Sequence, residues 1–245
     1  MAKTLPKKEA KNGFGRSNSH KALGTNPAPE TVVVFGAHSD DFVIGAGGTI
    51  AKYQQEGKKI LAVVFSYGES SHPWLRPGVV QQTRSLEAFD AGKLIGVSEI
   101  VFYNLHELKF AEEYAAKNIE KDLLTLLEKE KPTKLFTHSP EDFHPDHRAV
   151  HQITINLWEK LTHSSKKNIP EVYIYSVWNP VSFQTKYPAL YVPITATFSA
   201  KLQALSSFRS QKLHIAYPFL LLLFRALKEG IKIKTRFGEK FFRVK

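Results

Sequence analysis

The chain of 245 residues contains no cysteine. That absence excludes disulfides and thiolate metal ligands, so any metal must be held by histidine, aspartate or glutamate. It also fits a reducing compartment, and a cytoplasmic protein is the expectation. Long apolar runs are missing as well. The longest, Ile60 to Phe65 and Phe219 to Phe224, span six residues each, against the ~18–20 needed to cross a bilayer. The N-terminal stretch has no apolar core of signal-peptide length, so no secretion signal is read there.

The body of the chain also lacks a charge surplus. The net charge is +11, but it resides at the two ends. Residues 1–21 carry six basic residues against Glu9, and residues 225–245 carry eight against Glu229 and Glu239. These surpluses account for the whole, leaving residues 22–224 neutral. A basic groove for nucleic acid across the fold is therefore not expected. The ends read as solvated tails, with peripheral contact to the inner face of an anionic membrane as their other use. The Lys, Ser, Asn, Gly and Pro content of residues 1–29 predicts a basic, disordered arm ahead of a domain at 30–245.

What is present from Thr31 onward is an alternation of short apolar runs with longer amphipathic stretches. TVVVFGA, KILAVVFSYG, SEIVFYN, PTKLFTHS and EVYIYSVW read as five strands. IGAGGTIAKYQQEG, VVQQTRSLEAFDAGKLIG, KNIEKDLLTLLEKEK and HRAVHQITINLWEKL read as the helices between them. In the second helix, Val80, Leu86, Phe89 and Leu94 set the apolar spacing. This order predicts a single α/β domain with a mostly parallel sheet flanked by helices. After Trp178 the rhythm changes to a Pro-rich loop, a short strand at LYVPI, a helix at TFSAKLQALSSFRSQ capped by Thr197, and a last strand at EKFFRVK. Segment 215–236 joins an apolar run to lysines and arginines, and reads as a helix docked on the core or as an interfacial anchor.

Two polar clusters interrupt this pattern at strand ends. His38, Asp40 and Asp41 follow the first strand; His144, Asp146 and His147 follow the fourth. In an open α/β sheet the carboxyl edge of the strands is where ligands bind. A catalytic zinc takes three nitrogen or oxygen ligands and keeps a position for water, a set that His38, Asp41 and His147 supply. Asp40 is then left to accept a proton from the water, and His144 to face an oxyanion or protonate a leaving amine, with Asp146 holding its ring. Taken alone, His-x-Asp-Asp also suits a turn or helix cap, and His-Pro-Asp-His a polar loop before a helix. The glycines Gly45, Gly47 and Gly48 lack full dinucleotide spacing and read as close packing of the first helix on the sheet. His72 and Trp74, after the second strand, are candidates for substrate contact or for a plain loop.

HSDDFVIGAGGTIAKY, TRSLEAFDAGKLIGV and HSPEDFHPDHRAV together resemble the zinc-dependent de-N-acetylase family that includes N-acetylglucosaminyl-phosphatidylinositol de-N-acetylase and the LmbE-like deacetylases. The resemblance spans most of residues 31–160, with weaker echoes in FSAKLQALSSFRSQ and FGEKFFRV. It implies a Rossmann-like sheet and one zinc ion (Zn2+) per chain on His38, Asp41 and His147. It further implies Asp40 as general base and His144 as the oxyanion-stabilising or acid residue, backed by Asp146. Arg84 would bind substrate, a role that competes with a surface ion pair to Glu87. The chain departs from the family pattern at Ser39, where proline is usual, at Phe42, where glutamate is usual, and at Phe208, where histidine is frequent. The implied activity is removal of acetyl from an N-acetylglucosamine-type amino sugar: free, in an oligosaccharide, or linked to lipid or inositol. The competing readings are a zinc amidohydrolase for another N-acyl substrate and a catalytically weakened sugar- or lipid-binding relative.

Overall fold

Runs of β-branched and aromatic residues form the centre of the fold. The computed structural model describes residues 29–71, 74–164, 168–179 and 186–245. The expected N-terminal arm, up to residue 28, lies outside the described residues, as do His72 and part of the Pro-rich stretch after Trp178. Strands β1 (Thr31–Gly36), β2 (Lys59–Val64), β3 (Glu99–Phe102), β4 (Lys134–His138) and β5 (Glu171–Tyr175) pair in parallel. Strand β7 (Gly238–Arg243) runs antiparallel between β5 and β6 (Ala189–Pro193), giving the order β3-β2-β1-β4-β5-β7-β6. The chain is thus a single α/β unit with a mostly parallel sheet.

Alternate residues of the central strands face opposite layers, as strand geometry requires. Val32 and Val34 pack under α1 (Asp41–Gln55), α2 (Pro77–Ile95), α6 (Phe198–Ser206) and α7 (Lys212–Lys232). Val33 and Phe35 pack against α3 (Phe110–Ala116), α4 (Ile119–Glu130) and α5 (Pro145–Ser164). From β1 the sheet is built outward in both directions, to β2 on one side and to β4 on the other. The crevice beyond the carboxyl ends of β1 and β4 is therefore the topological switch point, where α/β sheets bind ligands.

Several local readings change in three dimensions. Helix α1 begins at Asp41, three residues before the glycine-containing pattern, and α5 begins at Pro145. Pro145 has no N–H to leave unpaired at a first helical position, so Asp146 and His147 lie in a helical first turn rather than in a loop. Helix α2 buries Val80, Ala88, Ala91 and Ile95, while Leu86, Phe89 and Leu94 are exposed. The helix that the spacing predicts is there, but of the four residues that set it only Val80 lies on the inner face, which small alanines share. Thr197 occupies the N-cap position of α6 but makes no capping bond; its hydroxyl donates to the Gly48 carbonyl of α1 at 2.8 Å. The glycines of α1 do serve close packing: a Cβ at Gly45 would lie 2.2 Å from the Tyr175 ring, and one at Gly48 2.7 Å from Ile194. Segment 215–236 falls largely within α7, which docks on the core through Leu222 and Ala226.

Candidate metal and catalytic centre

Each apolar strand delivers its polar residues just as its hydrogen-bonding ends. His38 follows β1 and is buried; its backbone N–H donates to Asp41 Oδ2 at 2.7 Å, closing the turn into α1. Three atoms then meet in a triangle. His38 Nδ1 lies 3.3 Å from His147 Nε2 and 3.4 Å from Asp41 Oδ2, and His147 Nε2 lies 3.4 Å from Asp41 Oδ2. Ligands at about 2.0–2.2 Å from a tetrahedral zinc are themselves roughly 3.3–3.5 Å apart. The three side chains therefore form a His/Asp/His group with the spacing of one face of a tetrahedral metal site.

The electrostatics agree with a cationic centre. Burial opposes a charged His38 ring, but the carboxylates of Asp146 and Asp41 outweigh it and push its pKa up to about 10. Burial likewise opposes ionisation of Asp41, yet His147 and His138 hold it well below the usual carboxylate range. Burial lowers His147, keeping its ring neutral as a ligand must be. The far nitrogen of that ring, Nδ1, faces Asp142 Oδ1 at 3.1 Å, the second contact that orients a ligating imidazole.

Asp40 is at the N-cap position of α1, but its side chain makes no capping bond. The cap that the motif alone would suggest is absent, and the carboxylate instead lies 3.5 Å from Arg84 Nη2. Burial and the adjacent Asp41 push the Asp40 pKa up, with Arg84 opposing them. Arg84 is only 3% exposed, and its Nη1 donates to the Gly68 carbonyl at 2.8 Å. A Cβ at Gly68 would fall 1.8 Å from that nitrogen, and the φ of +75° there also favours glycine. The Glu87 ion pair is not formed; Glu87 accepts from the backbone and hydroxyl of Ser210 at 2.8 and 2.6 Å.

His144 stands beside this group, its ring centroid 4.8 Å from that of His38. The backbone N–H of Asp146 donates to His144 Nδ1 at 3.2 Å. An acceptor Nδ1 leaves the neutral ring with its proton on Nε2. Burial, with His38 and His147 adding to it, lowers the His144 pKa. The Asp146 carboxylate lies 3.8 Å from His144 Nδ1, but 3.4 Å from His38 Nε2, and accepts from Leu108 N–H at 2.9 Å.

Sequence reasoning missed three side chains here. His138, the last residue of β4, is fully buried with Nε2 3.3 Å from Asp41 Oδ2 and 3.0 Å from the Ala37 N–H. Asp142 accepts from His144 N–H at 3.1 Å besides facing His147, and Glu107 Oε1 lies 3.5 Å from His38 Nε2. The signal for His138 was available, since β4, like β1, runs from apolar residues into a histidine. Glu107, from the loop after β3, carries no local signal. Of the family departures, Phe42 and Phe208 lie in the hydrophobic core, and the Ser39 hydroxyl is buried without a hydrogen-bond partner. Trp74 is largely exposed.

The chain is similar in sequence and fold to several known proteins. A family model described as PIG-L, GlcNAc-PI de-N-acetylase, matches residues 33–158. An uncharacterised deacetylase of Escherichia coli is 26% identical over 189 residues, covering 73% of this chain and 90% of that protein. The 4-oxalmesaconate hydratase of Pseudomonas putida is 25% identical, covering 87% of this chain and 84% of the relative. The structure of N,N'-diacetylchitobiose deacetylase from Pyrococcus horikoshii superposes with a TM-score of 0.72 at 26% identity, covering 89% of this chain and 84% of that one.

Proposed function

The chain belongs to the PIG-L, GlcNAc-PI de-N-acetylase, family, and on that premise we propose that it is a zinc-dependent hydrolase removing an N-acetyl group from an N-acetylglucosamine-type amino sugar. The observation that carries the reading is the 3.3–3.4 Å triangle of His38, Asp41 and His147 with an uncapped Asp40 beside it. Two imidazoles and one carboxylate, with no thiolate to compete, suit zinc. When bound, the ion would supply Lewis acidity, polarising the acyl carbonyl and acidifying a water.

The chain's own residues take the remaining roles. Asp40 accepts the proton that the attacking water loses, held in place by Arg84. We place the sugar on the Asp40 side of the guanidinium, which makes Arg84 part of the substrate-facing wall. His144, with its proton on Nε2, donates to the carbonyl oxygen as negative charge develops there. That tautomer favours the oxyanion role over the amine-protonating one. Asp146 fixes the His144 ring through its backbone N–H and the His38 ring through its carboxylate. The C–N bond then breaks, the proton collected by Asp40 passes to the nitrogen, and acetate and a free amine leave. Phe42 packs in the hydrophobic core and is not one of the three metal-holding residues, so its replacement of the family's usual glutamate leaves the donor set intact.

The test is acetate release from N-acetylglucosamine, N,N'-diacetylchitobiose and inositol- or lipid-linked N-acetylglucosamine by zinc-loaded protein. Release from at least one, abolished by chelator and restored by zinc, is expected. No release from any conjugate overturns the amino-sugar assignment. Likeness to the hydratase over 87% of the chain favours one second reading, addition of water to a carbon–carbon double bond by the same base. Hydration of 4-oxalmesaconate without acetate release from any amide would select it.

A further inference from the structure

Helix α7 carries a surface that the catalytic centre does not use. Leu222 and Ala226 face the core, and Glu229 is buried beside them. Leu220, Phe224, Leu227 and Ile231, spaced i, i+4, i+7 and i+11, form a continuous exposed stripe, with Leu220 64% and Ile231 74% accessible. Apolar side chains in such a row are not the scattered exposure normal for a surface. Next around the helix come Arg225, Lys228 and Lys232, with Lys240 of β7 adjacent; of the two carboxylates near them, Glu229 contacts Lys232 at 2.9 Å and Lys240 at 3.7 Å, and Glu239 is paired with Lys201. These basic side chains also line a cavity of about 300 Å³ between α7 and strands β5 and β7.

We propose that α7 is a membrane-interfacial helix, laying its Leu220–Ile231 stripe into an anionic bilayer while Lys228, Lys232 and Lys240 meet the lipid phosphates. An amphipathic helix with an apolar row flanked by cations is the pattern that lies in a headgroup plane. Charge selects this occupant over the alternatives. A second copy carries the same positive surplus at residues 225–245, and residues 1–21 carry another, so neither complements the cationic flank. No described helix is long and apolar enough to cross a membrane. The proposal is independent of the reaction catalysed.

Vesicle flotation of the full chain tests it, using phosphatidylcholine vesicles and phosphatidylcholine vesicles containing phosphatidylglycerol. The wild-type chain is expected to float with the anionic vesicles and to be released by salt. The triple variant Leu220→Ser, Phe224→Ser, Ile231→Ser should lose at least ~tenfold in partitioning, and Lys228→Gln with Lys232→Gln should weaken it as well. The substituted side chains point to solvent, so an unchanged thermal melt is expected and confirms folding. Equal flotation with neutral vesicles, or flotation that the triple variant retains, overturns the proposal. So does a wild-type dimer in sedimentation that the triple variant abolishes, with neither protein floating, because the stripe then belongs to a second copy.

Discussion

Asp40 and Asp41 are neighbours in the chain with opposite electrostatics. Asp41 sits among three histidine rings that stabilise its charge, whereas Asp40 is buried beside a like charge with one guanidinium to offset it. A carboxylate that readily accepts a proton suits a base, and one that holds its charge suits a metal. Asp40→Asn is expected to lower kcat by ~10²–10⁴-fold while bound zinc, measured by metal analysis, stays at one per chain. Loss of zinc in that variant would return Asp40 to the ligand set. His144→Ala should reduce kcat by about 10²–10³-fold with little change in KM, because the bond it donates strengthens only in the transition state. A rise in KM alone would mark His144 as a binding residue.

At the scale of elements, α1 is held where two of its residues can act by a buried ion pair from the other end of the chain. Lys201 of α6 lies 2.5 Å from Glu239 of β7 and donates to the Ile44 carbonyl at 2.8 Å. Glu239 also accepts from the Gly48 and Thr49 N–H groups at 3.1 and 2.7 Å. Burial lowers the Lys201 pKa and Glu239 opposes it, so the lysine's charge depends on its partner. Lys201→Met or Glu239→Gln alone should cost roughly 3–5 kcal/mol by leaving one buried charge unpaired. The double variant should cost less than the two losses added, a coupling that urea unfolding of all four proteins measures. Strict additivity would mean the pair does not act as a unit. The segments FSAKLQALSSFRSQ and FGEKFFRV supply the two partners of the ion pair that seats α1.

For the whole molecule, acid sensitivity should follow the opposite edge of the sheet. Glu30, just before β1, contacts Lys58 at the entry to β2, and Thr133 and Lys134 at the entry to β4. Lys58 and Thr133 hold its pKa down to about 2 from the usual 4.5. A depressed carboxylate stabilises the fold above its unfolded pKa, and that contribution disappears as pH falls through the folded one. The Tm difference between wild type and Glu30→Gln should therefore be full above pH 4.5 and vanish by about pH 2. A difference that persists unchanged to pH 2 would show that Glu30 acts by packing and not by charge. The order of strands and helices, and the placing of both polar clusters at strand ends, were legible from sequence alone, because β-branched runs, amphipathic stretches and their turn residues are local properties. Asp41 and His147 could be paired from sequence for the same reason, since both strand ends were visible. What only the tertiary structure decided is which atoms converge. Small alanines rather than Leu86 and Phe89 form the inner face of α2, because packing against the sheet rewards fit over hydrophobicity. Asp40 faces Arg84 instead of capping α1, His138 joins the centre from the last position of β4 and Glu107 from the loop after β3, and Asp146 sets the His144 tautomer through its backbone. Those are distances between residues far apart in the chain or choices between rival partners, and both are made by packing.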